Sequence, residues 1–150
     1  MSKIFLTSDT HFGHDRQFLF GPRGFENIAD HDAAIIANWN AVVGPDDIVY
    51  HLGDVMLNDN AHGLECIRQL NGHIKLIRGN HDNPKRIAMY QELGIEVHDI
   101  YYLPYKGRYF ILCHFPIASE EFIKMVIQDN SEVVNLYGHV HSNAPKGYVN

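Results

Sequence analysis

Oxygen and imidazole donors recur in five short clusters along the chain: Asp9-Thr10-His11, Gly53-Asp54, Gly79-Asn80-His81-Asp82, His114 and Gly138-His139-Val140-His141. Carboxylate, imidazole and amide without a thiolate form a donor set for a divalent transition metal: Mn²⁺, Fe, Zn²⁺, Co²⁺ or Ni²⁺. Calcium would require more carboxylates. A lone Asp-x-His is a weak signal, and Gly-Asn-His-Asp alone is ordinary turn chemistry. The weight lies in the joint pattern, because every cluster follows an apolar strand candidate.

Those strand candidates are Ile4–Ser8, Ile48–Leu52, His73–Ile77, Tyr109–His114 and Val133–Tyr137. Ligands of open α/β sheets bind beyond the carboxyl ends of the strands, so the clusters should converge on one edge. In extended chain, residues i and i+2 point to the same side. Asp9 with His11, and His139 with His141, should then each present two ligands to one metal region. The glycines before Asp54, Asn80 and His139 permit tight turns and close backbone approach.

Between the strands, helical patterns run over 30–43, 60–70, 84–93 and 120–127. The first has an apolar stripe at Ala34, Ile35, Trp39 and Val42, and Asp30 as its cap. Residues 10–26, with Gly13, Gly21, Pro22 and Gly24, read as one long loop. Residues 95–104 read as a single strand that enters a hairpin at Tyr105-Lys106-Gly107-Arg108. Strands alternating with helices predict an α/β layered fold with a mainly parallel sheet in its first half.

In order and spacing, Asp9-x-His11, Gly53-Asp54, Gly79-Asn80-His81-Asp82, His114 and Gly138-His139-x-His141 resemble the motif set of the calcineurin-like metallophosphoesterase superfamily. The opening Ser8-Asp9-Thr10-His11-Phe12-Gly13-His14 is similar to its small bacterial and phage branch, and the matches span residues 8 to 141. The resemblance implies a four-layer αββα sandwich of two mixed sheets flanked by helices, in one domain over 1–150. It implies a first metal held by Asp9, His11, Asp54 and His141, and a second held by Asp54, Asn80, His114 and His139, with Asp54 bridging. His81 would face the leaving group, oriented by Asp82. Family members usually continue well past the last His-x-His, so the second sheet is expected to be short, with 145–150 starting a further strand.

Two cations about 3.5–4 Å apart clamp the attacking and leaving oxygens of an in-line displacement at phosphorus and generate hydroxide near neutral pH. The expected function is therefore a dinuclear phosphoesterase, with Mn²⁺ as the leading metal. His81 is the expected general acid, because imidazole titrates near working pH. His14, Arg16 and Arg23 are candidates for contact with an anionic substrate. Arg78 is read as a support of the fold, and His51 as a packed or hydrogen-bonded strand residue. His31, His62, His73 and His98 receive no role.

The rest of the composition sets limits. The chain has 150 residues and a net charge of −6, with no basic run longer than Lys85-Arg86. A long nucleic acid needs a basic track, so a small phosphate ester is the expected partner. The alternatives are a nuclease and a non-catalytic metal-binding scaffold of the same fold; the scaffold reading is disfavoured by the presence of every putative ligand together with His81. Cys66 and Cys113 are too few for a disulfide framework and lack metal-ligand spacing. No stretch has the ~20 apolar residues of a membrane span, and a cytoplasmic location is expected.

Overall fold

The computed structural model describes residues 1–117 and 133–141. The helix expected at 120–127 and the strand start expected at 145–150 lie outside the described residues. Within them, β1 (Ile4–Thr7), β2 (Ile48–His51), β3 (His73–Ile77) and β4 (Glu96–His98) form a sheet in sequence order, parallel throughout. A second sheet has the order β5 (Ile100–Tyr105), β6 (Arg108–Cys113), β7 (Val133–Leu136) and is mixed, with β5 antiparallel and β7 parallel to β6.

Alternation along the first sheet decides what lies on each face. Val49 and Leu76 point to the helices, where Trp39, Val43, Cys66, Ile67 and Tyr90 complete the core. Tyr50 and Ile77 point the other way and pack with Leu52 against Leu103 and Leu112 of the second sheet. Each fully buried side chain of this kind contributes about 1.5–3 kcal/mol. The result is a helix layer, a parallel sheet and a second sheet, an α/β sandwich.

The helices are α1 (Gln17–Phe20), α2 (Ile28–Val42), α3 (Asn60–Arg68) and α4 (Pro84–Glu92). Three expectations need correction here. The segment 10–26 is not all loop, since α1 makes one turn that buries Leu19 and Phe20. The cap of α2 is Asn27, whose side chain accepts from the Asp30 amide, so Asp30 is the residue capped. The buried face of α2 is also rotated from the expected stripe. Asp32, Trp39 and Val43 are inside, with Ile35 and Ile36 packed against the core, while Val42 is exposed. A carboxylate can occupy that face only because both of its oxygens have partners, three in all.

Residues 95–104 do not form one strand. The chain leaves the first sheet after His98 and joins the second at Ile100, so the break at Asp99 is the point where it changes sheets. Arg78 fixes that corner: its amide donates to the His98 carbonyl at 2.8 Å and its Nε reaches Asp99 Oδ1 at 3.0 Å. The hairpin falls where expected. Lys106 and Gly107 both have positive φ, as a two-residue connection matched to strand twist requires.

Candidate metal centre

The five clusters do converge beyond the strand ends, but not through extended chain. Asp9, His11, Asp54, His139 and His141 all have φ between 49° and 67°. These five make up most of the non-glycine residues in the left-handed region among the described residues. Each such residue costs about 1–2 kcal/mol, with Asp and His among the types that tolerate it. Such strain persists only where neighbouring structure imposes it.

Backbone bonds between the loops impose it here. The Asp9, His11 and Phe12 amides donate to the carbonyls of Gly53, Asp54 and Val55 at 2.9, 3.1 and 2.9 Å. The loops after β1 and β2 are thus zipped together past the ends of their strands. The Gly138 amide donates to the His114 carbonyl, and the His139 amide to Asp9 Oδ2. Close approach explains Gly53: a Cβ there would lie 2.6 Å from the Gly79 nitrogen and from His114 Nδ1. At Gly138 a Cβ would collide with Ser8 Oγ.

Two groups of ligand atoms result. In the first, His11 Nε2 and His141 Nε2 lie 3.6 and 3.3 Å from Asp9 Oδ1. In the second, His114 Nε2 lies 3.4 Å from Asp54 Oδ2, and Asn80 Oδ1 is 3.0 Å from His114 Nε2 and 2.9 Å from His139 Nδ1. Asp54 Oδ2 is also 3.9 Å from His11 Nε2, which puts this carboxylate between the groups. Within each of the sets Asp9, His11, His141 and Asp54, His114, His139, one ligand atom per residue lies within 4.8 Å of the others. The His-x-His pair therefore divides between the groups, as the family resemblance implies and against the extended-chain expectation that i and i+2 share one region, whereas Asp9 and His11, in the same left-handed conformation, do share one.

The donor chemistry fits a cation. Asp9 Oδ1 and His11 Nε2 are buried without a hydrogen-bond partner. His114 donates from Nδ1 to the Leu52 carbonyl at 2.7 Å, which turns Nε2 inward toward Asp54 and Asn80, where a cation would take the place of its proton. Burial works to raise the pKa of Asp9. His11 beside it, the Ser8 hydroxyl, the charge of His114 and the His139 amide outweigh that and hold it well below the usual carboxylate range. Asp54 is likewise lowered against burial, by His114 and by the His81 amide on its Oδ1 at 2.8 Å. Both carboxylates are thus negative and available as ligands.

His81 stands at the rim, its side chain 38% exposed and its Nε2 3.9 Å from Asp54 Oδ2. Its main chain is pinned by Asp54 Oδ1 and by Arg86, which donates to the His81 carbonyl at 2.6 Å. Asp82 does not orient that ring. Its carboxylate accepts from the amides of Asp54, Val55 and Gly79 at 2.7, 3.2 and 2.9 Å and from the Tyr90 hydroxyl at 3.1 Å. Four donors occupy it, so Asp82 ties the β2 and β3 loops together and has no hydrogen bond to the imidazole. Asp82→Asn would turn an amide toward donors and leave at least one of them unpaired. A loss of about 1–3 kcal/mol per stranded donor follows, checked as a lower urea midpoint of metal-free protein. Unchanged stability would contradict this assignment.

His14 is buried, its ring 5.4 Å from that of His11 and 6.3 Å from that of His81. Burial, aided by the charges of His11, His81, Arg16 and Arg23, lowers its pKa to about 4, so it is neutral near pH 7. Arg23 lines a cavity of about 780 Å³ with Asp9, Phe18, His139 and His141. Arg16 borders a separate depression beside Asp59 and His62, and its guanidinium bonds the Asp15 carbonyl. The structure thus places His14 and Arg23 against the metal-ligand groups and Arg16 apart from them. His51 is packed and bonded as expected. It accepts from the Gly53 amide at Nδ1 and contacts Thr10 Oγ1 through Nε2, and burial lowers its pKa to about 4.

The chain belongs to the calcineurin-like phosphoesterase superfamily, whose domain model matches residues 2–146. It is 37% identical over 145 residues to an uncharacterized protein of Methanocaldococcus jannaschii, covering 95% of this chain and 72% of that one. It is 29% identical over 171 residues to the gene 66 protein of Mycobacterium phage D29, covering 95% of this chain and 80% of that one. A crystal structure of an Aquifex aeolicus protein of unknown function superposes with a TM-score of 0.70 at 26% identity, over 97% of this chain and 81% of the other. Members of the superfamily are typically metal-dependent phosphoesterases, and the two ligand groups described above are this chain's candidates for the metals. Among the described residues no helix is long and apolar enough to cross a membrane.

Proposed function

We propose that this chain is a dinuclear metal-dependent phosphoesterase that hydrolyses small phosphate esters, with Mn²⁺ the leading candidate for both metal positions. The observation that carries this reading is the Asp54 carboxylate, buried between two ligand groups with Oδ2 facing His114 on one side and His11 on the other. Asp9, His11, His141 and Asp54 would hold one ion, and Asp54, Asn80, His114 and His139 the other. Bound divalent cations supply Lewis-acid polarisation of a phosphoryl oxygen and of water. The chain's own residues do the rest. His81, open to solvent on a pinned backbone, protonates the departing ester oxygen. His14, neutral and beside His81, offers a hydrogen bond to the phosphate. The net charge of −6 favours a small ester over a long nucleic acid.

Metal-stripped protein restored with one divalent ion at a time, and assayed on a monoester, a diester and cyclic nucleotides, tests the reading. Close to two ions per chain and metal-dependent turnover of at least one small ester are expected. A single bound ion would overturn the dinuclear assignment. Absence of turnover with every ion would favour the non-catalytic scaffold, and activity confined to long single-stranded DNA would favour the nuclease.

A further inference from the structure

Asp32 lies on the core face of α2 and is 1% exposed. Its Oδ1 is 2.8 Å from His31 Nδ1, and its Oδ2 accepts from the Gly13 amide at 2.9 Å and lies 2.8 Å from His62 Nε2. His31 is fully buried, and its Nε2 is 2.9 Å from Arg23 Nη1. A guanidinium has donors only, so His31 Nε2 must accept. That places the His31 proton on Nδ1, where it is donated to Asp32. The other end of the Arg23 fork donates from Nη2 to the Asp9 carbonyl at 2.9 Å.

The chain of bonds from the Asp9 carbonyl through Arg23 and His31 to Asp32, and from Asp32 to the Gly13 amide, closes on both ends of the segment 9–13. That segment carries Asp9 and His11, both in the left-handed region. It meets the second ligand group through main-chain groups, the His139 amide on Asp9 Oδ2 and the Asp54 carbonyl under the His11 amide, and among the described residues it has no hydrogen bond to the side chains of Asn80, His114 or His139. We propose that Arg23, His31 and Asp32 form a buried bracket that positions Asp9 and His11, so that they set the affinity of the first metal position and not of the second. This rests on the dinuclear reading above. Arg23 is thereby a positioning residue whose two terminal nitrogens are engaged within the protein. A planar fork that spans two fixed acceptors is not reproduced by lysine, which brings charge without geometry.

The test separates the two metal positions. In His139→Ala protein the first ligand group is complete, and in His141→Ala protein the second is complete. Arg23→Gln and Arg23→Lys are added to each, and Mn²⁺ binding to the metal-free protein is titrated calorimetrically. In the His139→Ala background both Arg23 substitutions should weaken Mn²⁺ by about 10–100-fold, the loss typical of an outer partner of a metal ligand. In the His141→Ala background affinity should stay within about twofold, because the second ligand group shares none of the bracket's bonds. Normal affinity in Arg23→Lys with a loss in Arg23→Gln would show that only charge matters and overturn the bracket. Equal weakening in both backgrounds, with a lowered urea midpoint, would reduce Arg23 to general stability. Unchanged Mn²⁺ affinity with a raised KM would instead place Arg23 on the substrate. If the wild-type protein binds only one ion, the dinuclear reading fails; if it binds two and the Arg23 variants match it, the bracket alone fails.

Discussion

Replacing His81 with alanine is expected to leave both metals bound and to slow hydrolysis of esters with poor leaving groups by about 10²–10⁴-fold, the usual contribution of a positioned general acid. The ring is not needed to hold the loop in place. The His81 amide and carbonyl are fixed by Asp54 and Arg86 through the backbone, and alanine keeps both bonds. His81 belongs to neither compact group of ligand atoms, Asp9 with His11 and His141 or Asp54 with His114 and His139. Metal content should therefore match the wild type. An activated ester such as a nitrophenyl phosphodiester departs without much protonation, so its rate should fall far less. The ratio between poor and good leaving groups is the measurement that tests the assignment. An equal loss on both would mean that His81 positions the phosphate, and loss of metal would put it in the coordination shell.

The clusters are legible in the sequence because all five follow apolar strand candidates, although each alone is a weak signal. What the sequence did not show is how they are held. Alternation in extended chain predicts that residues two apart share a side, yet five of the proposed ligands sit in left-handed turns. Those turns arise from bonds between loops far apart in sequence, such as His11 to Asp54 and His139 to Asp9, which no local pattern encodes. Asp82 illustrates the same limit. Its place after His81 suggested a partner for the ring, whereas its four donors come mainly from the β2 loop and α4. Asp32 was missed, although a signal existed. It falls at the helical spacing of Ile35, Ile36, Trp39 and Val43, and a carboxylate on an apolar stripe demands an internal set of donors. Residues 95–104 read as one strand because nothing in their apolar pattern marks the change of sheet at Asp99.

Asp54→Asn should remove more activity than any other single change proposed, and far more than His14→Ala. Asparagine keeps the size of the side chain and one carbonyl oxygen. If that oxygen stays on the His81 amide, as Asp54 Oδ1 does at 2.8 Å, the new NH₂ occupies the place of Oδ2. It then faces His114 Nε2 at 3.4 Å and His11 Nε2 at 3.9 Å, where it can donate to a lone pair but cannot share a cation. Both metal positions lose a charged ligand in one substitution. Affinity for each ion should fall by more than the about 10–100-fold typical of an outer partner, with turnover falling further because it needs both. His14 belongs to neither ligand group; its ring meets those of His11, His81 and Phe18 and offers one hydrogen bond to the phosphate, so alanine there should cost no more than about 10–100-fold. The metal-free proteins provide the control. Asp54 is a buried carboxylate whose pKa is held down in the folded protein, against burial, by His114 and the His81 amide, so its charge is net favourable there and asparagine forfeits that contribution. The urea midpoint of metal-free Asp54→Asn should therefore fall modestly below that of metal-free wild type, with a cooperative transition retained, even as metal binding collapses. Loss of the cooperative transition would attribute the lost activity to misfolding. Retention of one ion at wild-type affinity, or a larger loss in His14→Ala, would show that Asp54 does not serve both metal positions.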